Sequence, residues 1–126
     1  MKLIDNLGKI ERESGGENDR TYLLSLDKEH FIYRSHFPGN PVTPGACIIQ
    51  LGKELMERHF GVPLLLKKVI NAKFLAIINP ELCPLVQFTF SKITPVDDGY
   101  KCSVLVYREA IPFAKLSLFL QREGKQ

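Results

Sequence analysis

An α+β domain, with an antiparallel sheet wrapped around one central helix, is what this sequence predicts, on three observations. Pro44 to His59 carries helical periodicity between a Pro/Gly-rich loop and a stop at Gly61 and Pro63. Five other stretches alternate apolar and polar residues with a period of two. The segment Pro95-Val96-Asp97-Asp98-Gly99 is a hairpin signal that joins two of them. The 126 residues favour one domain over 1–126, with five or six strands in all.

Each element follows in order. The first twenty residues are polar, and Gly15-Gly16-Glu17-Asn18-Asp19 reads as a turn or mobile loop. Thr21 to Leu26 is a strand with Tyr22, Leu24 and Leu26 on one face. His30-Phe31-Ile32-Tyr33 is expected to be extended. Ser35 to Gly45 then holds three prolines and two glycines in eleven residues, which makes a stiff, irregular loop. At its end Thr43 is placed to cap a helix, and Pro44 suits the first helical position.

In that helix Ala46, Cys47, Ile48, Ile49, Leu51, Leu55 and Met56 predict an enclosed N-terminal half. Gln50, Lys53, Glu54 and Glu57 share a polar face at three- and four-residue spacing, so the C-terminal half is expected at the surface. Leu64 to Ile78 reads as a long strand with Leu64, Leu66, Ile70, Phe74 and Ile78 on one side. Leu85 to Ile93 sets Phe88 and Phe90 against Gln87, Thr89 and Ser91. Tyr100 to Tyr107 and Pro112 to Gln121 complete the sheet, with Asp98-Gly99 as the tip of the hairpin before them.

Composition narrows the function classes. Seventeen Lys+Arg against fourteen Asp+Glu give a net charge of +3, too small and dispersed to indicate nucleic-acid binding. Cys47, Cys83 and Cys102 lack metal-ligand spacing, so no zinc site is expected, and their odd number suits a reducing compartment. The charged start MKLIDNLGKI is unlike a signal peptide, and no run nears the roughly 18 apolar residues of a membrane span. The expectation is a soluble cytoplasmic protein, without nucleic-acid or membrane partner.

The loop and the helix start hold the chemistry. An imidazole, His36, precedes a rigid turn, and nine residues later the helix opens at Pro44-Gly45. A helix N-terminus offers unpaired N–H groups and partial positive charge, suited to polarising a carbonyl. Gly45 lets a substrate approach that backbone closely. An imidazole titrating near neutrality is suited to remove a proton from the carbon beside such a carbonyl, as in a thioester.

His36-Phe37-Pro38-Gly39, Pro41-Val42 and Pro44-Gly45 together resemble the HFPGxPVxPG signature of the 3-hydroxyacyl-[acyl-carrier-protein] dehydratases, with further likeness at Asn71-Ala72-Lys73-Phe74. The resemblance implies a hot-dog fold over essentially the whole chain and a dimer with continuous sheets and composite sites. It also implies removal of water from 3-hydroxyacyl thioesters to give trans-2-enoyl thioesters, in fatty-acid or related synthesis. His36 is implied as the base and the Gly45 amide as holder of the thioester carbonyl. Phe37, Pro38, Gly39 and Pro44 are implied as substrate-binding residues. No metal or organic cofactor is implied, and the acyl group arrives on acyl carrier protein or coenzyme A.

One position departs from the pattern. The family places Glu or Asp fourteen residues after the histidine, where this chain has Gln50. Glutamine positions a hydroxyl or water but delivers no proton at neutral pH. Three readings stay open: a working dehydratase in which Glu54 is a candidate substitute acid, one half of a heterodimer with a related hot-dog subunit, or a non-catalytic acyl-thioester binder. A hot-dog thioesterase is a weaker fourth.

Bland roles are expected elsewhere. Cys47 reads as a small core residue, His30 and His59 as packing or surface groups, and Glu54 by default as a solvated or Lys-paired carboxylate. Lys53, Arg58, Lys67, Lys68 and Lys73 are candidates for a basic rim facing an acidic carrier. Leu64-Leu65-Leu66 and Phe74 read as core or dimer interface.

Overall fold

The structure, a computed structural model, describes residues 2–35 and 39–124. His36, Phe37 and Pro38 therefore lie outside the described residues. The elements run β1 (Gly8–Gly15), β2 (Arg20–Leu26), α1 (Phe31–Ser35), α2 (Gly45–Phe60), β3 (Leu64–Phe74), β4 (Leu85–Val96), β5 (Gly99–Arg108) and β6 (Ile111–Arg122). The strands form one six-stranded sheet in the order β1-β2-β4-β5-β6-β3, antiparallel at every pairing.

Alternation builds one apolar face. Tyr22, Leu24 and Leu26 of β2, Val86, Phe88 and Phe90 of β4, Cys102, Val104 and Val106 of β5, and Ala114, Leu116, Leu118 and Leu120 of β6 are all buried. Tyr22, Leu24 and Leu26, and likewise Phe88 and Phe90, lie on the faces that the sequence predicts. Ile48, Leu51, Leu55 and Met56 of α2 join the same cluster, so the helix lies along the sheet's apolar side. Burying each such side chain contributes about 1.5–3 kcal/mol against leaving it in water. Gly52 faces β6, where an added Cβ would make only an ordinary contact, 3.9 Å from Leu118 Cδ1.

Several expectations need correction. The polar start holds β1, and Leu3 and Leu7 ahead of it are buried. Its charged residues conceal a strand whose order comes from pairing with β2. The expected turn at Gly16–Asp19 is where β1 hands over to β2. Phe31 to Tyr33 is helical rather than extended, because Asp27 Oδ1 accepts from Glu29 N–H and turns the chain just before α1.

Thr43 does not cap α2; Pro44 occupies the cap position, with no side-chain cap bond. The helix is most buried over Leu51–Met56, not in its first turns, where Ala46 is exposed. Gly61 closes it as expected, in the left-handed conformation at φ 69°, its N–H bonded to Glu57 O. β3 ends at Phe74 and carries two bulges, so Ile78 belongs to the following loop, where it is buried. The hairpin turns at Asp97-Asp98, Asp97 taking φ 52°, and Gly99 opens β5 paired with Gln121. A Cβ on Gly99 would run into the Leu120 carbonyl oxygen, which is why glycine stands there.

Candidate functional site

The loop that carries the motif is tied at both ends. Thr43 N–H and Oγ1 both donate to Ile78 O, at 3.0 and 3.1 Å. The hydroxyl has a single proton, so in the 2.8 Å contact with Tyr33 the tyrosine donates to Thr43 Oγ1. Tyr33, Thr43 and Ile78 are all buried. Burial pushes the Tyr33 phenol up, partly offset by its bond to Thr43. The chain on either side of His36 is thereby anchored to one carbonyl beyond β3. Sequence reasoning missed this strut; Asp27, with its turn-forming carboxylate, was the available sign that α1 and Tyr33 follow.

Gly39 takes φ 85°, a region that favours glycine, and it is exposed. Pro44 follows with φ −62° and ψ 145°, and its carbonyl accepts from Cys47 and Ile48 N–H at 3.0 and 3.1 Å. The N–H groups of Gly45 and Ala46 precede the helical ladder and have no intrahelical acceptor, leaving partial positive charge at the helix start. Phe74 of β3 lies over Gly45: a Cβ there would come within 2.8 Å of Phe74 Cζ. Glycine at this point leaves room for the Phe74 ring, which an added methyl group would displace.

Five residues on, about 7.5 Å along the helix axis, Gln50 meets Glu54. Gln50 Nε2 donates to Glu54 Oε2 at 2.7 Å. The same carboxylate accepts from the backbone of the N-terminal segment: Leu3 N–H reaches both oxygens at 2.9 Å, and Ile4 N–H reaches Oε1 at 2.8 Å. Glu54 is only 6% exposed, so the expectation of a solvated or Lys-paired surface carboxylate is corrected. Lys53 instead pairs with Glu57 at 3.4 Å and donates to Leu64 O at 3.1 Å.

The remaining candidates separate cleanly. Burial pushes the Cys47 thiol up, opposite to what a nucleophile needs, and the side chain packs against the core. His30 is buried, its Nδ1 accepting from Ile32 N–H, and His59 sits against Phe60 with its Nε2 at 3.0 Å from Glu17 O. Of the expected basic rim, Arg58 pairs with Glu13 and Lys53 is engaged as above, while Lys67, Lys68 and Lys73 stand exposed on β3. Among the described residues no cluster of His, Cys, Asp or Glu is placed to hold a metal ion, and no helix is long and apolar enough to cross a membrane.

Comparisons with known proteins agree with this architecture. The family model for ApeI-like dehydratases matches residues 11–97. The 3-hydroxyacyl-[acyl-carrier-protein] dehydratase FabZ of Wolbachia pipientis wMel is 29% identical over 131 residues, covering 96% of this chain and 87% of that protein. The enzyme of the same name from Lactobacillus helveticus is 27% identical over 140 residues, covering 100% and 93%. Among solved structures, the dehydratase heterocomplex ApeI:P from Xenorhabdus doucetiae superposes with a TM-score of 0.69 at 14% identity, over 91% of this chain and 98% of that one. A mutant thioesterase from Pseudomonas aeruginosa gives 0.61 at 15% identity, over 94% and 84%. At such identities the likeness is one of fold, and that fold is the hot dog.

Proposed function

Because the chain belongs to the ApeI-like dehydratase family, we propose that it dehydrates 3-hydroxyacyl thioesters delivered on acyl carrier protein or coenzyme A. The observation that carries this reading is the run from His36 to Gly45 leading directly into the open N-terminus of α2. Residues 1–126 act as one hot-dog unit in the cytoplasm. Two subunits pair through β3, this chain with itself or with a related hot-dog partner.

The thioester carbonyl is held by the Gly45 N–H, which withdraws charge and acidifies the adjacent carbon. Phe37, Pro38, Gly39 and Pro44 are assigned to binding the substrate. The His36 imidazole removes the proton from Cα. The Cα–Cβ double bond then forms as the Cβ–O bond breaks. Departure of the hydroxyl requires a proton, and the carboxylate nearest Gln50 has its lone pairs committed to Leu3, Ile4 and Gln50. We therefore assign that proton to His36: the imidazolium returns it to the departing oxygen, water leaves, and the imidazole is neutral again. Glu54, expected as a substitute acid, is given no proton to transfer.

A second reading has its own support. Gln50 lacks the carboxylate of the family pattern, and a chain of like fold comes from a dehydratase heterocomplex. In that case His36 completes a site whose carboxylate comes from the partner. The test is hydration of a short trans-2-enoyl carrier-protein thioester by the purified chain, followed by loss of enoyl absorbance. The proposal expects turnover that His36→Ala lowers by about 10²–10⁴-fold. No turnover above that variant would favour the partner reading.

A further inference from the structure

We infer that Glu54 is a positioning residue that fixes the orientation of the Gln50 amide and so decides what that side chain offers the substrate; the inference rests on the dehydratase reading. A side-chain amide has two nearly isosteric orientations, one presenting oxygen and the other NH2. The neighbours remove the choice here. Backbone N–H groups only donate, so Glu54 acts as an acceptor towards Leu3 at both oxygens and towards Ile4 at Oε1. The Gln50 atom 2.7 Å from Oε2 must then be the NH2, which puts the carbonyl oxygen at the opposite end of the amide.

On the dehydratase reading, which sets Gln50 at the composite site, this side chain meets the substrate as a hydrogen-bond acceptor. An acceptor receives a hydrogen bond from the substrate's 3-hydroxyl and so turns the oxygen's lone pairs away from itself, where an imidazolium can protonate them. A donor in the same place would occupy those lone pairs. The burial of Glu54 keeps water from competing for the arrangement, and its two backbone partners hold the carboxylate still. Leu3 and Ile4, far from the motif in sequence, become the outer support of the site.

The test exchanges donors and acceptors at constant size. In Glu54→Gln the new amide keeps an oxygen for Leu3 and Ile4 but turns NH2 towards the NH2 of Gln50. Two donors do not bond, so Gln50 must rotate or swing away. The expected result is a kcat about 10²-fold lower, with KM within a few-fold and a melting temperature lowered by only a few degrees in a chain that remains folded. Adding Gln50→Glu to this variant restores a matched pair, with NH2 at 54 donating to a carboxylate at 50 that keeps an oxygen towards the site. This double variant is expected to regain at least about 10-fold in kcat. A wild-type kcat in Glu54→Gln, or a double variant no faster than the single one, overturns the inference.

A second readout needs no turnover. The side-chain NH2 signals of Gln50 in a 15N–1H spectrum, identified by their loss in Gln50→Leu, are expected to move in Glu54→Gln. Unchanged signals overturn the inference. If the wild-type chain shows no turnover dependent on His36, the dehydratase reading fails separately, and these signals alone decide the role of Glu54.

Discussion

β1 and β3 are the two edges of one sheet, and they are built in opposite ways. β1 carries Lys9, Glu11, Arg12 and Glu13 in eight residues, has a register shift between Ile10 and Arg12, and is tied by Glu13 to Arg20 and Arg58. Charge and irregularity of this kind blunt an edge against further pairing. β3 is eleven residues long with ten exposed, among them Leu65 at 48%, Leu66 at 40%, Val69 at 37%, Ile70 at 41% and Phe74 at 49%. A long apolar edge left open is a surface waiting for a partner. The difference teaches that β1 is built to end the sheet, whereas β3 is built to be covered, as the proposed pairing through β3 requires. It also ties assembly to chemistry, since Phe74 of β3 rests on the helix start at Gly45.

The strongest way to break this comparison is to charge the β3 edge. Leu66→Lys combined with Ile70→Lys should leave a folded chain whose mass by light scattering is halved. Turnover should fall to the level of His36→Ala if the site is shared between two subunits, as the resemblance implies. Arg12→Glu on β1 should leave mass and turnover unchanged within about 2-fold, as exposed substitutions away from packed features do. A β3 variant that stays dimeric and active would show the two edges to be equivalent.

A smaller effect sharpens the link from β3 to the helix start. Gly45→Ala brings a methyl group against the tip of the Phe74 ring, a side chain half exposed in the single chain and able to give way. Alanine gains up to about 1 kcal/mol in helix propensity over glycine, which offsets part of the displacement. In a Phe74→Ala background the obstacle is gone, so Gly45→Ala should then stabilise by about 0.5–1 kcal/mol. Urea unfolding of the four variants measures the coupling. Equal effects in both backgrounds would mean that Phe74 does not constrain Gly45.

How much of this was legible follows the same division. The faces of β2, β4 and β6 could be read because each buries one side within the chain, so period-two alternation survives in the sequence. The extent of α2 was readable from Pro44 and Gly61, both backbone-specific residues. β1 was hidden because an edge strand of charged residues looks like a loop until its pairing is known. β3 was read too long and too regular, because bulges shift the faces of Leu66 and Ile70 without leaving a mark in composition. At the site, the motif and Gln50 stand out by residue type. The roles of Glu54, Leu3 and Ile4 did not, because backbone N–H groups from 50 positions away carry no sequence signature.

The smallest expected effect concerns the anchoring of β1. Glu13 has its carboxyl held below the ordinary value of 4.5, chiefly by the hydrogen bond from Arg58 and also by the charges of Arg58 and Arg20. A carboxyl that loses its proton more readily in the folded state stabilises that state above its unfolded pKa. The contribution disappears as pH falls through the lowered folded pKa. Both partners are partly exposed, so the size is that of a surface pair, about 0.2–1 kcal/mol. Glu13→Gln should therefore lower the urea midpoint slightly at pH 7, and the difference should vanish as the pH falls through the lowered folded pKa of the wild-type carboxyl. A loss of several kcal/mol at pH 7 would invert the comparison. It would mean that β1 is held by its charges and not by pairing with β2 and the burial of Leu3 and Leu7, and that the quiet edge of the sheet is the fragile one.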